Sequence, residues 1–507
     1  MAMNLEVTEV MGRENRLGSI SGYCGSLRDL SCKARCGGVK GRERCFSQDS
    51  LCNAACAQGT LSLIMDAAIV NHGPVGCAVD AIGSNFVLRT MQRLSGAPEH
   101  NIRFLSTNLR ESDTVFGASE KLKETIRETW RRYEPAAIFV CSSCASAVIG
   151  EDIRAVVSDL KGEIPVPISP VSCEGFKSKV WASGFDAAFH AILTDIVKPP
   201  AKKTNVVNFI NFFGSAKKEI AELFARFGVE PYFLTAGSSI EGLSRLSESI
   251  ATVSICGTLG TYLGTGLEQK YGVPYVQSMR PHGIAGYEDW LRQLGSAIGK
   301  AAEVEAYIAE ERPKIEDELQ RLRSRLKGLR AVIGMGPGYS FNFIRVLGEL
   351  GIEVVWTSAW HFDPRYDSGA NVPELEFLAG GGAEDIPFTV SDQQNFEVMN
   401  VLNTLKPDIY FSRHPGTTVW ALKLGYASLC VNDEYTAFGY KGIVNFGTMI
   451  LDSITNRSFA ELFAKRSRLP YTEWWFQQDH AHFLAEEAGS RAAASEPAAA
   501  AIGAAHE

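Results

Sequence analysis

One pattern recurs along most of the chain: a short β-branched run, a loop containing Gly, Ser or Cys, and then a helical stretch. It is seen over residues 136–153 (AAIFVCSSCASAVIGEDI), 205–228, 251–272, 330–351, 352–361 and 406–425. Strands of four to six apolar residues alternating with amphipathic helices predict parallel sheets covered on both faces. With 507 residues the chain has room for roughly three such units at about 150 residues each. The expected class is therefore α/β, with three Rossmann-like doubly wound domains over residues 51–200, 204–327 and 328–485. The stretch Lys198–Lys203, with Pro199 and Pro200, reads as a linker, and a charged helix from Glu310 to Lys327 separates the second unit from the third. Residues 1–50, rich in Gly, Cys, Arg and Ser with little periodicity, read as an irregular Cys-rich arm. Residues 486–507 read as a flexible Ala-rich tail.

Composition narrows the function. At 45% apolar and 21% charged residues the chain is an ordinary globular protein. A net charge of −8 gives a nucleic-acid partner little electrostatic support. The absence of an apolar leader and of any run of about 18 apolar residues predicts a cytoplasmic protein with no membrane partner.

Twelve cysteines in a reducing compartment point to metal binding or catalysis rather than to disulfides. Cys24, Cys32, Cys36, Cys45, Cys52, Cys56 and Cys77 crowd the first part of the chain, and Cys141 and Cys144 form a C-x-x-C. No zinc-ribbon or ferredoxin spacing is present, so any cluster must be assembled from distant segments or shared with another chain. In doubly wound sheets, ligands sit beyond the carboxyl ends of the strands. The loops at those ends carry Cys141, Cys144, Cys173, Cys256, His361, Arg413 and His414. Soft thiolates and imidazoles gathered there indicate a metal centre. The GxGxG of Gly334 to Gly338 is read as a tight strand-to-helix turn, because it lacks the GxGxxG spacing and an acidic ribose ligand. No Walker A sequence occurs, so any ATP that drives the chemistry is bound by another polypeptide.

The most distinctive segment runs from Cys52 to Cys77 and ends in His72-Gly73-Pro74-Val75-Gly76-Cys77. It resembles the first cysteine pair of the nitrogenase component-1 superfamily. Further likenesses follow in order: Ser106 to Ile126, Cys144 through Asp152, Cys173-Glu174-Gly175-Phe176, and Cys256 before a glycine-rich helix. The resemblance implies that Cys52, Cys77 and Cys144 are this chain's share of a P-cluster-type [8Fe-7S] centre. A sister K-type subunit would complete it in an α2β2 heterotetramer. It also implies that Cys256 anchors the active-site cluster.

The chain departs from dinitrogen-reducing nitrogenase at three places. Asn432 stands roughly where the family's histidine ligand would be, Phe185 stands near a proton-donating histidine, and Ser84-Asn85-Phe86 replaces an arginine. His361 and His414 occur instead in loops that face the family's cofactor, where imidazole delivers protons or polarises substrate. His414 is also a candidate replacement ligand, and Arg413 a holder of a sulfide or an anionic group.

This combination most resembles the catalytic D subunits of the methylthio-alkane reductases. The resemblance implies reductive C–S cleavage of small organic sulfur compounds, such as dimethyl sulfide or 2-methylthioethanol, to methanethiol and a hydrocarbon. It implies an ATP-hydrolysing [4Fe-4S] reductase dimer as electron donor, and an all-iron Fe8S9C-type cluster, with a molybdenum-containing cofactor as the alternative. The rival reading is a scaffold on which a nitrogenase cofactor matures, which Asn432 favours. A tetrapyrrole-reducing relative is disfavoured by Cys256.

Overall fold

The computed structural model describes residues 3–45, 52–79, 81–94, 96–212, 216–391, 394–413, 415–433 and 435–485. The expected Ala-rich tail and His414 lie outside the described residues.

Thirteen strands are assigned among the described residues. They are β1 (Gly22–Ser26), β2 (Ala67–His72), β3 (Phe104–Ser106), β4 (Ala137–Ser142), β5 (Ile168–Val171), β6 (Val206–Asn211), β7 (Glu230–Thr235), β8 (Ala251–Ser254), β9 (Arg330–Met335), β10 (Glu353–Ala359), β11 (Pro387–Ser391), β12 (Ile409–Ser412) and β13 (Ala427–Cys430). They form three sheets in the orders β3-β2-β4-β5, β7-β6-β8 and β1-β11-β10-β9-β12-β13. Every pairing is parallel except that of β1 with β11. The α/β class predicted by the strand–loop–helix repeat is thus the observed one. Strands β2, β4, β8 and β12 are buried along their whole length, as strands covered on both faces by helices must be.

Two sequence expectations are corrected. The described residues of the expected arm, 3–45, are not an irregular lead-in: β1 pairs antiparallel with β11 and adds an edge to the third sheet, and a helix Leu27–Arg35 follows it. Tyr23, Leu27 and Leu30 are buried against the main core. The single charged helix expected from Glu310 to Lys327 is interrupted. Helix Ala301–Glu311 gives way to a 3₁₀ turn Arg312–Ile315 and then to helix Glu316–Leu326. The break falls at Pro313, which has no N–H to donate to the preceding turn.

The N-terminal segment also ties the three sheet units together. Helix Arg13–Leu17 places Arg13, which is fully buried, against Asp186 of helix Ser183–Ala191. The same guanidinium reaches the Thr258 carbonyl of helix Gly257–Tyr271 and Asp363 in the loop after β10. Burial opposes the charge on Arg13, but the carboxylates of Asp186 and Asp363 more than offset it and raise its pKa above the usual arginine value. No helix among the described residues is long and apolar enough to cross a membrane.

Candidate metal centres

The first group of thiols lies at the carboxyl ends of the first sheet. Cys52 is the residue before helix Asn53–Leu61. Cys77 sits in the short 3₁₀ turn Val75–Ala78 that follows β2. Cys144 opens helix Cys144–Val148, whose start is fixed by Ser143: its Oγ accepts from the Ser146 N–H at 3.2 Å. These loops converge on Gly175. A Cβ at that glycine would stand 2.8 Å from the Cys52 Sγ and 3.4 Å from the Cys144 Sγ. Cys77 completes the group: burial pushes its thiol pKa up, and the neighbouring Cys52 and Cys144 add to the shift. Three soft donors from loops far apart in sequence therefore share one spot, with a cradle that only glycine leaves open. The donor set suits a thiolate-held iron–sulfur centre. Among the described residues no three His, Cys, Asp or Glu side chains close on a single-ion site, and the thiols ring Gly175 instead.

Cys52 and Cys144 are exposed, and Cys77 is half-buried. Val75, Val79, Val148 and Phe176 are each 59–76% exposed and flank the three thiols and Gly175 in sequence. The other cysteines fall elsewhere. Cys141 and Cys173 are buried in mutual contact. Cys56, one turn beyond Cys52, is held well above the usual thiol pKa by burial. Cys32, Cys36 and Cys45 are exposed on the N-terminal segment, and Cys24 lies on β1 with its Sγ 3.8 Å from His480 Nε2. Cys430 is half-buried on β13, and Asn432 is exposed two residues beyond it.

Gly175→Ala tests the cradle. The short Cys52 side chain must swing away from the new methyl group, so the iron held at the thiol ring is expected to fall while the melting temperature changes little. Elemental analysis and calorimetry check this together.

The second centre is a small buried cavity walled by Cys256, Trp181, Phe185, Phe212, Tyr339, Trp360, His361 and Arg413. Cys256 lies between β8 and the fifteen-residue helix Gly257–Tyr271, and is 4% exposed. Its N–H donates to Ser254 Oγ at 3.2 Å, and Ser254 Oγ donates back to the Cys256 carbonyl at 2.7 Å. The thiol therefore sits at the N-terminus of that helix. The positive charge nearby is Arg280, fully buried and paired with Glu374 at 3.0 Å, within electrostatic reach of Cys256. Gly336 and Gly338 border this cavity. A Cβ on Gly336 would meet the Trp360 ring at 3.4 Å, and one on Gly338 would meet the Cys256 Sγ at 3.7 Å. Pro337 occupies the first helical position, as the tight strand-to-helix turn requires.

Phe185 packs edge-on against Trp181 with ring centroids 5.4 Å apart, and His361 stands edge-on to the same Trp181 at 6.1 Å. His361 is 1% exposed, with Nε2 3.3 Å from Asp363 Oδ2. That contact has ion-pair distance without hydrogen-bond alignment, and Nδ1 has no hydrogen-bond partner. Arg413, just past β12, stacks its guanidinium 3.9 Å above the Tyr339 ring, and its Nη1 is buried without a hydrogen-bond partner. Cys256, His361 and Arg413 thus face one aromatic cavity. A lone thiolate with an imidazole and a guanidinium fits the anchoring of a sulfide-rich cluster better than a closed cage for a bare ion. Sequence reasoning did not single out Trp181, Arg280, Arg13 or Asp363. Arg13, Arg280 and Asp363 are charged residues whose burial depends on partners distant in sequence.

Comparison with known proteins identifies the family and the fold. Residues 52–455 match the family of nitrogenase component 1 type oxidoreductases. The nitrogenase molybdenum-iron protein alpha chain of Methanosarcina barkeri is 25% identical over 460 residues, spanning 78% of this chain and 85% of that one. The nitrogenase iron-molybdenum cofactor biosynthesis protein NifE of Nostoc sp. is 31% identical over 442 residues, spanning 83% and 87%. The solved structure of nitrogenase Cp1 at pH 5 superposes with a TM-score of 0.68 at 23% identity, over 86% of this chain and 94% of that one. The last likeness concerns the fold.

Proposed function

Because this chain belongs to the nitrogenase component 1 type oxidoreductases, we propose that it is the catalytic subunit of a reductase that cleaves C–S bonds of small methylthio-alkanes. The observation that carries the reading is the cavity at Cys256. Among the described residues its wall is largely aromatic, with one imidazole, His361, and one guanidinium, Arg413. An aromatic wall suits a small thioether, whose sulfur makes favourable contacts with ring edges. In this reading Cys256 anchors an all-iron Fe8S9C-type cluster, and Cys52, Cys77 and Cys144 hold one side of a P-cluster-type [8Fe-7S] centre. Val75, Val79, Val148 and Phe176 then form the seat of the sister K-type subunit, since exposed apolar residues grouped around exposed thiols are unfavourable in water. When bound, the inner cluster supplies stored electrons and a site for the thioether sulfur. The chain's own residues do the rest: the aromatic wall excludes water, Arg413 orients sulfur or an anion, and His361 holds a proton near the departing carbon. His414, in the same loop as Arg413, is the second proposed proton carrier.

For dimethyl sulfide the balance is one thioether, two electrons and two protons giving methanethiol and methane. The electrons come from an ATP-hydrolysing [4Fe-4S] reductase dimer. The complex with its sister subunit, supplied with that reductase and ATP, is expected to release the two products in equal amounts. Elemental analysis of the same complex is expected to find iron without stoichiometric molybdenum or vanadium; either metal in stoichiometric amount rejects the all-iron cluster. The similarity to NifE favours a second reading, a scaffold for nitrogenase cofactor maturation. A scaffold binds and releases a cluster but shows no ATP-dependent turnover of dimethyl sulfide, so the same assay separates the two.

A further inference from the structure

We propose that Asp363, held by Arg13 of the N-terminal helix, is the positioning residue for His361, so that the N-terminal segment is a working part of the Cys256 cavity. The inference rests on the proposed function for its consequence in turnover, but its geometry stands apart from it.

Asp363 is buried between two partners. On one side its Oδ2 lies 3.3 Å from His361 Nε2. On the other, Arg13 Nη1 donates to the same oxygen at 2.9 Å, and Ser19 Oγ donates to Oδ1 at 2.5 Å. Both cationic and hydroxyl donors come from the N-terminal segment. Arg13 is itself immobilised by Asp186, with Nε and Nη2 each donating at 2.7 Å, and its backbone N–H donates to Ser183 Oγ at 3.0 Å. Arg16 joins the same cluster through Asp186 and Asp367, and Thr261 donates to Asp367. Two arginines and three aspartates leave this buried group one negative charge in excess.

The other groups around the imidazole do not compete with Asp363 for it. Trp181 and Phe185 are uncharged, and Arg413 is engaged with the Tyr339 ring. Neither ring nitrogen makes an aligned hydrogen bond, but the Asp363 carboxylate 3.3 Å from Nε2 favours the tautomer that carries its proton on Nε2 and leaves Nδ1 unprotonated. Burial opposes the charge on Asp363, but His361 and Arg13 more than offset it and keep the carboxyl below the usual carboxylate range. The anion is therefore present at any working pH.

The test begins with the full metal-free chain, labelled with ¹⁵N in histidine and recorded at pH 8.5, with the His361 signal assigned by its loss in His361→Gln. The wild-type ring is expected to carry its proton on Nε2. A proton on Nδ1 overturns the inference, whether or not any variant folds. In Asp363→Asn the tautomer preference is expected to be lost or reversed; an unchanged preference also overturns it. In the assembled complex Asp363→Asn is expected to lower turnover of dimethyl sulfide about a hundredfold, the lower end of the range for acid–base groups. Combining it with His361→Gln is expected to cost nothing beyond His361→Gln alone. Losses that multiply would assign Asp363 a merely architectural role and overturn the proposal. If the wild-type complex does not turn over the thioether at all, the function falls while the ring tautomer still decides the position of Asp363.

Discussion

Cys256→Ala is expected to abolish turnover of dimethyl sulfide and to remove the iron of the inner site, while the iron held at Cys52, Cys77 and Cys144 stays. The expectation follows from how isolated this thiol is. Among the cavity's lining residues it is the only thiol, so no neighbouring sulfur can take its place. Changing outer-shell partners of a metal centre alone costs about 10–100-fold in affinity or activity, and removing the anchor itself should cost more. The fold should tolerate the change. The turn into helix Gly257–Tyr271 is held by the reciprocal Ser254–Cys256 hydrogen bonds, which use only the backbone of residue 256. The lost sulfur is comparable to one buried methyl group, at about 1 kcal/mol. Thermal melting, iron per chain and product release therefore give three independent readings. Cys256→Ser is expected to fail as well, because a hard hydroxyl is a poor substitute for thiolate toward a sulfide-rich cluster. Undiminished turnover in either variant would remove Cys256 from the site.

The parts of this architecture that were legible in the sequence are those set by local chemistry. The strand–loop–helix repeat fixes parallel sheets, and the carboxyl ends of parallel strands fix where loops converge; that Cys256, His361 and Arg413, which follow strands of two different sheets, belong to one centre was implied only by the resemblance to nitrogenase component 1. What was not legible depends on partners far away in the chain. β1 (Gly22–Ser26) contains two glycines and no alternation; it is a strand only because β11 offers it an edge. Arg13 in isolation reads as a surface charge, and its burial is intelligible only with Asp186 and Asp363, which lie 173 and 350 positions away. Likewise, nothing local in Gly175 marks it as the point where two thiols meet, although the Cys-Glu-Gly-Phe motif drew attention to its neighbour Cys173. The break at Pro313 is the opposite case: its signal was local, and the charged periodicity on either side obscured it.

Cys144→Ala is the second substitution expected to have a large effect, and of a different kind. Cys144 is exposed, so the isolated chain should lose almost no stability, within about 0.5 kcal/mol for a surface change. The assembled complex, however, should lose both iron at the thiol ring and turnover, because the proposed route for electrons into the cavity passes through that centre. Association with the sister subunit should weaken too, since a shared cluster bonds two surfaces that otherwise meet through Val75, Val79, Val148 and Phe176. Anaerobic gel filtration and iron analysis measure these two losses separately. The comparison with Cys56→Ala sharpens the result. Cys56 lies only one turn from Cys52, but its thiol is held well above the usual pKa, first by burial and then by the neighbouring Asp186 against the opposing pull of Arg13. Its side chain packs toward Gly184, where an added Cβ would stand 2.8 Å from the Cys56 Cβ, and not toward the thiols that meet at Gly175. Cys56→Ala is therefore expected to retain iron, assembly and turnover, and loss of iron in that variant would move the first ligand from Cys52 to Cys56.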